Sequence, residues 1–176
     1  MSLFKNFFIA LSNSTYLNET AKKVGPKMGA NKVVAGNTIE QLIDTIERLN
    51  DKNIAVTVDN LGEFVGTVEE ATQAKNEILE VMQAIKDYNV DAHMSVKLSS
   101  LGGEFDTELA YNNLREILLK ANEFDNMHIN IDTEKYDSLQ QIVEVLDRLK
   151  GEFRNVGTVI PVSYTHLRAH ETRHDL

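Results

Sequence analysis

The chain has 176 residues, no cysteine, and 18 basic against 27 acidic side chains, for a net charge of −9. That length supports one domain with a sizeable core but falls short of the roughly 250 residues of a closed eightfold α/β barrel. The missing cysteines exclude disulfides and thiolate metal sites, the acidity without a basic stripe argues against nucleic acid as a partner, and no apolar run reaches the roughly 18 residues of a membrane span.

The N-terminal stretch MSLFKNFFIAL places Phe4, Phe7, Phe8 and Leu11 at helical spacing. This predicts a leading helix packed on the domain, with docking on a membrane surface as the alternative. Lys5 and Asn6 interrupt the run and no small-residue cleavage site follows, so it does not read as a secretory signal. A second helix is expected around Thr15–Val24, closed by the Gly25-Pro26 turn.

From Lys32 onward, short β-branched runs alternate with longer helical stretches. The runs are Val33–Ala35, Ile54–Val58, Ala92–Leu98, Met127–Asp132 and Val156–Ile160. Between them lie four apolar stripes of helical period. The first is Ile39, Leu42, Ile43, Ile46 and Leu49; the second is Ala71, Ala74, Ile78, Val81, Met82 and Ile85. The third is Leu109, Leu114, Ile117, Leu118 and Ala121; the fourth is Leu139, Ile142, Val143, Leu146 and Leu149. Thr38 with Gln41 and Thr67 with Glu70 have the spacing of capping boxes, and Gly151 stands where a helix ends. Strand–helix repetition of this kind predicts a parallel sheet with helical crossovers.

Parallel strands are normally covered on both faces and read as continuous apolar runs. Three strands here alternate instead. Ala55, Thr57 and Asp59 oppose Ile54, Val56 and Val58; Ser95, Lys97 and Ser99 oppose Val96 and Leu98; His128, Asn130 and Asp132 oppose Ile129 and Ile131. A half-solvated antiparallel sheet would also alternate, but the long helical crossovers speak against it. A barrel with a polar lumen accounts for the pattern better, and Asp59, Lys97 and Asp132 then fall at the C-terminal mouth where barrel enzymes place their chemistry. Lys97 lies within an apolar run, where a charge is costly unless paired or used. On the residues alone it is either an ion-pair partner of Asp59 or Asp132 or a functional cation.

These segments resemble the flavin-dependent proline dehydrogenases. Asp59-Asn-Leu-Gly-Glu63 matches their D-x-L-G-E segment, Ser95-Val-Lys-Leu-Ser99 with Ser-Leu-Gly102 their third strand, and Asn130-Ile-Asp132 with Glu134 their fourth. Val156-Gly-Thr-Val-Ile160 looks like the start of their fifth strand. Each motif alone is weak; the three in order are specific, and the likeness covers about residues 1–160, closest to the small monofunctional bacterial enzymes. It implies a distorted (βα)8 barrel with FAD held non-covalently at its mouth. It also implies oxidation of L-proline to Δ1-pyrroline-5-carboxylate by hydride transfer from Cδ, with electrons passed to a membrane quinone, in the cytoplasm or peripherally at the inner face of the cell membrane. Lys97 would lie close to flavin and substrate, where its charge favours electron density on the reduced isoalloxazine. Asp132 would line the active site and orient a substrate-binding arginine. Glu63 would form half of an ion-pair gate over the proline site, and Asp59 would support the same network.

The fold expected is therefore an incomplete TIM-type barrel: N-terminal helices over 1–31, about four βα units with the start of a fifth strand over 32–160, and a tail over 161–176. The family's later features have no counterpart here: a glutamine segment on the fifth strand, a flavin-contacting arginine, and the final helix with its arginine pair. The tail PVSYTHLRAHETRHDL holds His166, His170 and His174 at i, i+4, i+8, a spacing that suits a zinc or nickel site. The stretch also resembles peptides encoded by sequencing adapters, and it is set aside from the fold and function reading, so no metal site is expected. Two further readings stand beside the family one: a barrel aldolase using Lys97 as a Schiff-base nucleophile, and a non-catalytic half-barrel binding module.

Overall fold

A computed structural model of the chain describes residues 35–36, 38–60, 65–135 and 137–159. The predicted N-terminal helices, nearly all of the first predicted strand, Glu63 and the histidine-bearing tail lie outside the described residues. The chain forms two units, 1–45 and 46–176.

Helix α1 spans Ile39–Asn50. In the first unit, the Gln41 backbone N–H donates to Thr38 Oγ1 at 3.4 Å, and the Thr45 hydroxyl donates to the Ala35 carbonyl at 2.8 Å. Ile43 and Ile46 are the buried members of the stripe.

The second unit carries a four-stranded, wholly parallel sheet in the order β1-β2-β3-β4. The strands are β1 (Val56–Asp59), β2 (Ala92–Lys97), β3 (Ile129–Asp132) and β4 (Val156–Thr158). Helix α2 (Val68–Asp87) joins β1 to β2, α3 (Thr107–Glu123) joins β2 to β3, and α4 (Leu139–Lys150) joins β3 to β4. Because every neighbouring pair is parallel, the half-solvated antiparallel alternative fails. A parallel pair needs a long crossover, and the three periodic segments supply it.

The chemistry at the element ends explains the boundaries. Before α2, Thr67 Oγ1 accepts the Glu70 N–H at 3.2 Å, while Glu70 Oε2 accepts the N–H groups of Thr67 at 3.2 Å and Gly66 at 2.7 Å. The predicted capping box is complete there. Asp106 caps α3 by accepting the Leu109 N–H at 3.0 Å. Gly151 does end α4, but in right-handed conformation (φ −65°), so the ending does not draw on glycine's freedom to adopt positive φ.

The core lies between sheet and helices. Met94, Val96, Ile129, Ile131 and Val156 point from the strands toward Ile78, Met82 and Ile85 of α2, Leu114, Ile117 and Leu118 of α3, and Leu146 and Leu149 of α4, all buried. Helix α2 packs on α3, α3 on α4, and α4 on β4. Predicted faces shift slightly, as on α2, where Ala84 is buried and Ala74 and Val81 are not. On α4 Val145 is buried and Val143 is 43% exposed, because the buried face follows Ile142, Val145, Leu146 and Leu149. On α3 Ala110 and Asn113 join the buried face, the Asn113 amide donating to the Leu101 carbonyl at 3.0 Å.

The strands also prove shorter than predicted. β1 begins at Val56, leaving Ile54 exposed outside it. β2 ends at Lys97, so Leu98 and Ser99 leave the strand and Ser99–Leu101 forms a single 3₁₀ turn. The turn closes at Gly102 with φ +102°, a left-handed conformation that suits glycine. The next residue, Gly103, donates its N–H to the Leu98 carbonyl at 2.7 Å, an approach that leaves no room for a Cβ.

Candidate active site

Strand register decides which polar side chains meet. Asp59 lies opposite Ser95, Ser95 opposite Asn130, Asn130 opposite Gly157, and Lys97 opposite Asp132. Paired residues of parallel strands share a face. Asp59, Ser95, Lys97, Asn130 and Asp132 therefore stand on the side away from the helices, toward the C-terminal ends of β1, β2 and β3. The face predicted to be polar is polar, and its charges gather at one end.

Lys97 Nζ donates to both carboxylate oxygens of Asp59, at 2.7 Å and 2.6 Å. The Lys97 side chain is 11% exposed and that of Asp59 35%. Of the two ion-pair partners open to Lys97 on the sequence, Asp59 is the one engaged. Asp132, next to Lys97 in register, instead accepts the Ser95 hydroxyl at 2.6 Å and the Asn130 amide at 2.9 Å, both on Oδ1.

The loops beyond the strands are tied to each other. Glu134 accepts the Ser99 hydroxyl at 2.6 Å and the Ser99 backbone N–H at 3.3 Å, joining the loop after β3 to the turn after β2. Ser100 donates its hydroxyl to the Lys97 carbonyl at 2.8 Å, closing the turn on the residue that carries the cation. Farther along, Thr133 Oγ1 donates to the Val159 carbonyl at 2.6 Å and Thr158 Oγ1 to the Ile131 carbonyl at 2.7 Å.

Deeper on the same face, His93 and His128 meet edge to face with ring centroids 5.9 Å apart. Gly157 leaves room for this pair, since a Cβ there would stand 3.3 Å from the His128 ring. Burial, and then the neighbouring His93, push the His128 imidazole below its ordinary value.

Of the four residues singled out on sequence, Lys97, Asp59 and Asp132 are brought together and Glu63 lies outside the described residues. Ser95, Asn130, Ser99 and Glu134 belong to the same constellation and were not assigned roles. Ser95, Asn130 and Ser99 alternate onto the polar face in sequence, and Glu134 stands in the fourth-strand motif. Ser99 and Glu134 meet only because two loops converge.

The family model for proline dehydrogenase matches residues 42–171. Proline dehydrogenase 1 of Bacillus subtilis subsp. natto is 37% identical over 158 residues, covering 90% of this chain and 52% of that protein. Proline dehydrogenase 1 of Bacillus subtilis strain 168 is 35% identical over 171 residues, covering 97% of this chain and 56% of that protein. Among solved structures, proline utilization A from Bdellovibrio bacteriovorus, inactivated by N-propargylglycine, superposes with a TM-score of 0.68 at 20% identity, over 82% of this chain and 18% of that one. The sheet is thus an arc of a TIM-barrel-like domain, and the chain belongs to the proline dehydrogenase family. It spans about half the length of the curated relatives it matches.

Proposed function

We propose that the chain supplies the first half of a barrel that oxidises L-proline to Δ1-pyrroline-5-carboxylate, with FAD as resident cofactor and a quinone as electron acceptor, in proline catabolism. The observation that carries this reading is the meeting of Lys97, Asp59 and Asp132 at the C-terminal ends of three neighbouring strands, in a chain of this family. The residues present fit a flavin. A lysine ammonium held at a strand end beside a hydrogen-bonded carboxylate offers the positive charge that reduced flavin calls for. Bound FAD would supply the hydride acceptor.

The chain's own residues have separate tasks in this reading. Asp59 holds the Lys97 ammonium in place, so that its charge is preorganised at the mouth rather than recruited from solvent. Asp132 lines the site and orients an arginine that binds the substrate. Glu63 takes the part that the family resemblance implies, half of an ion-pair gate over the proline site. Among the described residues no helix is long and apolar enough to cross a membrane. In this reading the protein is cytoplasmic and meets the inner face of the cell membrane peripherally to pass electrons to a quinone.

The Schiff-base reading is weakened by the same geometry. An aldolase lysine attacks as the neutral amine, whereas a carboxylate engaging the nitrogen with both oxygens stabilises the ammonium. The test joins residues 1–159 of this chain to the remaining segment of the Bacillus subtilis protein. Proline should bleach the bound flavin of that chimera and reduce a soluble quinone. Borohydride trapping of a carbonyl substrate on Lys97, without flavin bleaching, would overturn the proposal.

A further inference from the structure

We propose that Ser95 and Asn130 are positioning residues that make Asp132 a one-sided, monodentate acceptor for a cationic N–H group. The proposal rests on the function argued above and deepens it. The Ser95 hydroxyl donates to Asp132 Oδ1 at 2.6 Å, and the Asn130 amide donates to the same oxygen at 2.9 Å. The Asn130 amide also donates to the Ser95 hydroxyl oxygen at 3.2 Å, closing a three-membered network across β2 and β3. Among the described residues no hydrogen bond reaches Oδ2.

Three facts make this arrangement specific. First, both donors are fixed by backbone register rather than by flexible reach: Ser95 lies opposite Asn130, and Asp132 follows Asn130 by two residues on the same face. Second, Ser95 is 4% exposed, so its hydroxyl is not exchanged for water and its loss would remove one of the two donors to Oδ1. Third, two donors on one oxygen fix the carboxylate plane and occupy that oxygen's lone pairs. The remaining oxygen is then the acceptor offered to the mouth.

A carboxylate gripped in this way cannot present the symmetric fork that a bidentate guanidinium needs. It can receive N–H groups on one oxygen only, as from one arm of an arginine. The register neighbour Lys97 does not compete for it, because Asp59 holds that ammonium with both oxygens.

The experiment uses the active chimera, with the aligned positions of the Bacillus subtilis protein substituted in parallel so that a chimera that fails to fold does not remove the test. Ser95→Ala and Asn130→Ala should each lower kcat/KM for proline about tenfold or more, the effect of losing a hydrogen bond to a charged group. The loss should fall mainly on KM, with the flavin spectrum and melting temperature held. Ser95→Thr keeps the hydroxyl and should restore most of the loss. Variants within about twofold of the parent, while Asp132→Asn remains strongly impaired, would overturn the positioning role alone. A parent that neither bleaches with proline nor turns over sinks the function reading and this proposal with it. If Asp132→Asn is also harmless, the assignment of Asp132 itself is wrong.

Discussion

Lys97 carries a full charge on a side chain only 11% exposed, and Asp59 is what makes that tolerable. Removing one partner of a fully buried pair costs about 3–5 kcal/mol. Asp59 keeps about a third of its exposure, so solvent screening reduces the effect. We expect Asp59→Asn to destabilise the chain by about 1–2 kcal/mol in urea denaturation. The double variant Asp59→Asn/Lys97→Met, which removes both charges and keeps a similar stem, should recover part of that loss; strictly additive costs would show the pair does not couple. His128 gives a second expectation at this scale. Its depressed folded value means the neutral ring is favoured in the folded chain. That contribution is complete above the unfolded value of about 6.5 and is lost as pH falls from there through the lower folded value. Thermal melts should therefore show stability declining as pH falls below about 6.5. The decline should be shallower in His128→Asn; superimposable profiles would show that the imidazole pair is not the cause.

At the scale of elements, the caps and turns rank by how much backbone they command. Thr67→Ala removes one side of the α2 capping box and should cost about 1 kcal/mol in chemical denaturation. Gly103→Ala forces a Cβ to within 2.7 Å of the Leu98 carbonyl, a backbone atom that cannot swing aside, and should cost about 1–3 kcal/mol. A Gly103→Ala variant as stable as the parent would mean the turn after β2 is free to relax, and that Lys97 is less tightly set than the geometry indicates. These elements also show what a linear sequence carries. The Thr67–Glu70 box and the stripes around Ile78, Leu114 and Leu146 were legible because helical packing and capping depend on residues three or four apart. The polar face of Thr57, Asp59, Ser95, Asn130 and Asp132 was legible because strand alternation has period two. The shortfall came where long-range contacts set the outcome. β2 stops at Lys97 because Gly102 and Gly103 fold the chain back onto Leu98, and no local period announces that. The Glu134–Ser99 bond joins residues 35 apart in sequence, and the choice of Asp59 over Asp132 for Lys97 depends on how neighbouring strands set their side chains.

For the whole molecule, the family and the barrel class were legible from three ordered motifs, but a barrel's function is a property of its closure. Four parallel strands gather their polar side chains on one face, and a sheet with exposed edges offers unpaired backbone groups to solvent or to other chains. The chain covers about half of each curated relative, so the arc it forms would be completed by a comparable length of polypeptide. The residues on hand organise one side of a mouth: a held ammonium, a fixed carboxylate and two loops tied by Glu134. A flavin needs walls on more than one side to be desolvated and oriented, since the protein's share of flavin chemistry is binding, orientation and electrostatics. The 176-residue chain by itself should therefore hold no stoichiometric FAD after reconstitution and gel filtration, and should show no proline-dependent dye reduction. The chimera that completes the barrel should show both. Tightly bound flavin with turnover from the 176 residues alone would mean that half a barrel, or two copies assembling through their open faces, is sufficient for the chemistry.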